Sequence, residues 1–209
     1  MKFLFATTNK AKIKYYGMKL KEYGIDLVTL NDLNIDIDVD ENGDNPVENA
    51  IIKAMTYNKI SGLPTVALDD GLYFDDIPSC LQPGTHVRRI NGKKLSDKEM
   101  INYYTDLVNK YGDNGFLKGY FLKGVAVVYN SNIYDYSCKI YRDFSSKHSE
   151  IIDDGYPLAS LVMIKSLNKF KSELSKEEEK LIKDNEQTNI IEFIIDTLKM
   201  IENDSKSTH

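Results

Sequence analysis

Three short groups of polar residues in this 209-residue chain combine side chains suited to holding phosphate or a hard cation. Thr7, Thr8, Asn9, Lys10, Ala11 and Lys12 follow a short apolar run and open an amphipathic one. At a strand-to-helix turn of this kind, free backbone N–H groups and the helix dipole attract an anion. The hydroxyls and the amide add donors, and Lys12 adds a full charge. The same residues also read as an ordinary N-cap with a solvated lysine. The second group is Glu48, Asn49 and Lys53. Asn49 and Lys53 are one helical turn apart, so a helix presents them on one face. A carboxylate and an ammonium there suit a metal-bound phosphate, although capping by Glu48 beside a solvated Lys53 fits the pattern too. The third group is Asp69 and Asp70, adjacent carboxylates after an apolar run, which repel one another unless a cation or hydrogen-bond donors hold them.

These groups need elements to position them. Lys2 to Thr7 reads as a strand, and Asn9 opens a helix with Ile13, Tyr16, Leu20 and Tyr23 on one side and Gly24 as its stop. Ile25 to Leu30 reads as a second strand, followed by an acidic loop from Asn34 to Asp44. Asn45 then caps a helix with Pro46 at its first position and Glu48 where a capping-box carboxylate sits, closing near Gly62. Pro64 to Leu68 and Leu72 to Phe74 read as two strands, which places the acidic pair at a strand end. Ser96 and Glu99 form a capping box for a helix carrying Met100, Tyr104, Leu107, Val108 and Tyr111. Tyr120 to Tyr129 and Ile133 to Tyr141, separated by Asn130, Ser131 and Asn132, read as an antiparallel hairpin. Leu158 to Ile164 reads as a strand, and two helices follow, Ser175 to Lys183 and Ile190 to Ile201. One domain over 1–201 and a disordered tail over 202–209 are expected, because the tail has too few apolar residues to pack.

Composition narrows the function classes. A formal net charge of -5 argues against a protein that grips long nucleic acid, which needs a basic face. No apolar run approaches the ~20 residues of a membrane span, and the N-terminus lacks the pattern of a signal peptide, so a cytoplasmic protein without a membrane partner is expected. Cys80 and Cys138 suggest neither a disulfide framework nor a thiolate metal site. His86 and His148 have no identifiable partner and are assigned no catalytic role.

The order and spacing of the motifs resemble the inosine triphosphate pyrophosphatase family, which acts on non-canonical purine nucleoside triphosphates. The family's opening Thr/Ser-x-Asn-x-x-Lys is matched by Thr7, Asn9 and Lys12, and its Glu-Asn-Ala-x-x-Lys-Ala by Glu48, Asn49, Ala50, Lys53 and Ala54. Asp-Asp-Ser-Gly-Leu is approached by Asp69, Asp70, Gly71 and Leu72. Pro-Gly followed by Ala-Arg and Gly is approached by Pro83, Gly84, Arg88, Arg89 and Gly92. Glu173, Leu174, Ser175, Glu177 and Glu178 look like Glu-Leu-Thr/Ser-x-Glu-Glu. There are departures. Aligned without a gap on Gly71, Leu68 takes the place of the first aspartate and Asp70 that of the serine; alternatively the serine is deleted after Asp70. Asp154, Gly155, Tyr156 and Pro157 stand where the family carries Phe-Gly-Tyr-Asp, and Lys183, Asp184 and Asn185 stand where it carries Ser-His-Arg.

The resemblance implies an α/β fold, an elongated mixed twisted sheet with flanking helices and two lobes around a central nucleotide cleft, often as a homodimer. It implies magnesium-dependent hydrolysis of a nucleoside triphosphate to the monophosphate and pyrophosphate. Glu48, Asp69 and Asp70 are then the expected metal ligands, with Asp69 as ligand or general base. Asp69, Lys12 and Lys53 form the catalytic set. Thr7, Thr8, Asn9, Lys12 and Lys53 hold phosphates, while Arg89 and Tyr156 border the nucleotide. The departures at Tyr156 and at Lys183 to Asn185 lead to an expectation of altered base selectivity, with a non-catalytic nucleotide-binding protein as the alternative.

Overall fold

In the computed structural model, residues 1–207 are described. The chain runs through β1 (Phe3–Phe5), α1 (Lys10–Lys21), β2 (Leu27–Thr29), α2 (Pro46–Ser61), β3 (Thr65–Phe74), β4 (Arg89–Ile90), β5 (Lys93–Lys94), α3 (Asp97–Tyr111), β6 (Phe116–Tyr129), β7 (Asn132–Ser145), β8 (Val162–Ile164), β9 (Lys169–Phe170) and α4 (Lys176–Ser207). Seven strands form one sheet in the order β2-β1-β3-β6-β7-β8-β9, and β4 and β5 form a separate pair. β1 lies parallel to both β2 and β3, whereas β7, β8 and β9 pair antiparallel, so the sheet is mixed as expected. The turn between β6 and β7 consists of Asn130 and Ser131, both with positive φ, the backbone twist that suits a two-residue hairpin.

The chain divides into two compact units, neither continuous in sequence. The first comprises Met1–Asp70, Lys123–Cys138 and Gln187–His209, and the second Gly71–Leu122 and Lys139–Glu186. In the first unit the alternation of a strand sorts side chains to two faces. Val66 and Leu68 of β3 and Val125 and Val127 of β6 pack with Tyr15, Tyr16 and Leu20 of α1 and with Ile190, Ile194 and Leu198 of α4. Ala67 and Ala126 instead pack with Ala50, Ala54 and Tyr57 of α2. Helices α1 and α4 therefore cover one face of this part of the sheet, and α2 covers the other. The approach of α2 is close: a Cβ added at Gly124 of β6 would lie 2.6 Å from the backbone of Pro46. In the second unit, Leu72, Phe74, Leu117 and Phe144 pack against Met100, Tyr104, Leu107 and Val108 of α3, whose Ser96–Glu99 capping box forms as expected.

Several boundaries differ from the sequence reading. The strands expected at Pro64 to Leu68 and Leu72 to Phe74 are one strand, β3, so Asp69 and Asp70 sit within it and not at its end. The two C-terminal helices are one, α4. Its polar middle gives no apolar signal, yet Gln187 is buried there and accepts a hydrogen bond from the Tyr16 hydroxyl. The tail expected over 202–209 is helical through Ser207, and residues 208–209 lie outside the described residues. Glu202 accepts from the N-terminal ammonium of Met1 at 2.7 Å, and the Ser205 hydroxyl donates to the Ile201 carbonyl, so polar contacts extend the helix where apolar ones end.

Candidate phosphate and metal site

The site residues of the first unit are placed by helix starts and by one strand. At α1 the Asn9 side chain accepts from the N–H groups of Ala11 and Lys12, at 2.9 and 3.1 Å, and Thr7 Oγ1 accepts from the Asn9 N–H at 3.2 Å. Asn9 is thus an N-cap, and two of the donors that sequence reading left free for an anion are already satisfied. Thr8 is exposed beside it. At α2, Asn45 Oδ1 accepts from the N–H groups of Val47 and Glu48. Glu48 is exposed and accepts from the Asp44 N–H and the Asn45 side-chain amide, both at 2.8 Å.

The adjacent aspartates of β3 point to opposite faces and have separate partners. Asp69 lies on the α2 face. Its Oδ2 accepts from Asn49 Nδ2 at 3.0 Å, and its Oδ1 is 3.3 Å from Lys53 Nζ. Lys53 also donates to the Leu68 carbonyl at 3.2 Å and lies 3.2 Å from Glu41. Asp70 lies on the α1 face, where each carboxylate oxygen meets one ammonium. Lys12 is 2.8 Å from Oδ2 and Lys123 2.7 Å from Oδ1. Burial pushes the Asp70 carboxyl up, but Lys123 and then Lys12 more than offset this and hold it well below the usual carboxylate range. The mutual repulsion expected for neighbouring carboxylates is thus answered by two independent sets of donors.

Lys12, Lys53, Asp69 and Asp70 are therefore brought into two Lys–Asp pairs, joined by two residues that sequence reading missed. Glu41 lies in the acidic loop, where nothing in the sequence separates it from its neighbours. Lys123 had one available signal: it precedes Val125 and Val127 by the two-residue period that assigns all three to one face. The expected ligand trio is not gathered into a single cluster. Among the described residues no group of three or more His, Cys, Asp or Glu is poised to hold a metal ion.

Arg89 and Tyr156, expected to border the nucleotide, belong to the second unit. Arg89 is exposed on β4, and Tyr156 is 65% exposed. It is Arg88 that is engaged, donating to Asp97 at 2.6 Å and to the Gly155 carbonyl at 3.0 Å, while Asp97 accepts from the Gly155 N–H at 2.8 Å. Arg88 and Asp97 thereby clamp the turn that carries Tyr156 onto the start of α3. Lys183, Asp184 and Asn185 lie in α4.

Two solved structures share this fold: the Ham1 protein of Staphylococcus aureus, with a TM-score of 0.74 at 21% identity over 93% of this chain and 98% of that one, and a HAM1 protein from Coxiella burnetii, with a TM-score of 0.77 at 22% identity over 96% and 99%. Among curated proteins, one named dITP/XTP pyrophosphatase from Shigella flexneri is 31% identical over 113 residues, 54% of this chain and 56% of its own length. Another of that name from Vibrio cholerae is 36% identical over 101 residues, 48% and 49% of the two chains. These matches span about half the length of the curated relatives. The family model described as the Ham1 family matches residues 3–134. That range is more than half of the sequence and takes in Lys12, Lys53, Asp69, Asp70 and Lys123 together, and the chain accordingly belongs to the Ham1 family.

Proposed function

We propose that this chain hydrolyses nucleoside triphosphates between the α- and β-phosphates, releasing a nucleoside monophosphate and pyrophosphate. The observation that carries the reading is the pair of Lys–Asp contacts, Lys12 with Asp70 and Lys53 with Asp69, formed by the motif residues of α1, α2 and β3. The names of the curated relatives support the same chemistry.

The reading includes a magnesium ion, for which this chain offers carboxylate donors. Carboxylate oxygens are hard donors, and magnesium is commonly held by one or two carboxylates with substrate phosphates and waters completing its shell. Asp69 and Glu48 would hold it. When bound, the ion supplies Lewis-acid stabilisation of the charge that develops on the phosphate oxygens. The chain's own side chains do the remainder. Lys12 and Lys53 hold phosphate oxygens, with Thr7, Thr8 and Asn9 lining the turn beside them. Asp69 accepts the proton of the attacking water, oriented by Asn49, whose amide fixes Oδ2. A homodimer in the cytoplasm completes the reading.

If Lys12 and Lys53 face the β- and γ-phosphates, Lys12→Ala and Lys53→Ala are expected to weaken triphosphate binding at least ~10-fold more than monophosphate binding, because charge-assisted contacts to the missing phosphates cannot contribute. Titration calorimetry with both ligands checks this, and equal losses would contradict the assignment. The departures at Asp154 to Pro157 and at Lys183 to Asn185 lead to a second expectation, weak discrimination between bases. A site that lacks dedicated hydrogen-bonding partners does not impose the ~100-fold or larger penalty that rejects a wrong base. Comparing kcat/KM for inosine, xanthosine, adenosine and guanosine triphosphates tests it, and a ~100-fold preference for the first two would overturn it.

A further inference from the structure

We propose that Asp70 is an internal stand-in for a phosphate group, filling an anion subsite built by Lys12 and Lys123 and thereby setting how tightly that subsite takes phosphoanions. The proposal deepens the triphosphate reading and rests on it for the class of ligand.

The three residues share a face for reasons already visible in the fold. Asp70 follows Val66 and Leu68 at the two-residue period, and Lys123 precedes Val125 and Val127 at the same period, on the face that α1 covers. Lys12 lies three and four residues before Tyr15 and Tyr16, which are buried against that face, so it belongs to the same side of α1. Each ammonium meets a different oxygen of the one carboxylate, at 2.8 and 2.7 Å, the arrangement in which two lysines bridge an oxyanion. About a third of the Asp70 side chain is exposed, at 32%, so an incoming anion can reach the pair that holds it.

Charge counting separates this face from the other. On the α1 face two ammonium groups share one carboxylate, an excess of one positive charge. On the α2 face the single ammonium of Lys53 meets two carboxylates, Asp69 and Glu41, an excess of one negative charge. A second lysine that is mostly withdrawn from water, as Lys123 is at 17% exposure, calls for a further negative partner. The excess therefore marks the α1 face for an anion and the α2 face for a cation. Asp70 then opposes phosphate binding by occupying its place, whereas a metal ligand would promote it.

The two roles predict opposite signs in one experiment. Binding of inorganic pyrophosphate is measured by calorimetry in the presence of a chelator, with thermal unfolding recorded for every variant. Asp70→Ser, which leaves both lysines unshared, is expected to bind pyrophosphate at least ~10-fold more tightly than the parent chain, with a gain that shrinks as salt is raised. Lys123→Ala is expected to bind at least ~5-fold more weakly, and the double variant, which restores a single excess positive charge, is expected to return close to the parent affinity. Unchanged or weakened binding in Asp70→Ser would overturn the proposal, as would an unchanged affinity in Lys123→Ala. Should Asp70→Ser fail to fold, Lys123→Ala against Lys123→Arg decides, since only the charge-keeping variant retains affinity. Tighter binding by Asp70→Ser in a chain that hydrolyses no triphosphate would refute the hydrolase reading and leave this one standing.

Discussion

Asp69→Asn is expected to lower kcat/KM for triphosphate hydrolysis at least ~100-fold with little change in the fold. The amide keeps one oxygen to accept from Asn49 Nδ2, so the contact between β3 and α2 survives. It cannot take a proton from water, and it removes the negative charge that Lys53 and a hard cation both require. General-base catalysis alone contributes ~100- to 10,000-fold, and loss of charge stabilisation adds to this. Steady-state rates alongside a melting curve separate the chemical from the structural effect. A variant with parental activity would remove Asp69 from the reaction.

Leu68→Asp is expected to destabilise the chain by roughly 3 kcal/mol or more, through the burial of an unpaired carboxylate. The position matters because the ungapped alignment puts Leu68 where the family carries its first aspartate, and restoring that residue is an obvious repair. Leu68 is 2% exposed and belongs to the apolar cluster of Phe3, Phe5, Tyr16, Val125 and Val127. It shares a face with Asp70, two residues on, but Lys12 and Lys123 are already committed to that residue. Urea denaturation of parent and variant measures the difference. A variant as stable as the parent would show that this part of the core admits a charge, and higher activity would favour Leu68 as the lost ligand position.

The elements legible in the sequence were those with local causes. Asn45 and Pro46 announce the start of α2, Ser96 and Glu99 that of α3, and Asn130 with Ser131 the hairpin turn, because caps and turns are decided by residues within a few positions of one another. Of the residues that meet in the Lys–Asp contacts, Lys12, Lys53 and Asp69 stand in short local motifs of the sequence. What sequence reading missed depends on distant partners. Lys123 meets Asp70 across 53 positions, and Tyr16 meets Gln187 across 171. The second contact is also why one helix was read as two: a buried glutamine satisfied by a tyrosine looks, in sequence, like a polar break. In sequence, Asp69 and Asp70 read as a joint pair because they adjoin. The strand that carries them sends adjacent side chains to opposite faces, and that inference required knowing that β3 does not stop at Leu68.

The most direct test of the account is product analysis of deoxyinosine triphosphate incubated with the purified chain and magnesium, with a parallel sample in chelator. Stoichiometric deoxyinosine monophosphate and pyrophosphate, formed with magnesium and abolished by the chelator, are the expected result. Release of inorganic phosphate and the diphosphate, or no turnover of any nucleoside triphosphate under conditions where the chain is folded, would contradict it.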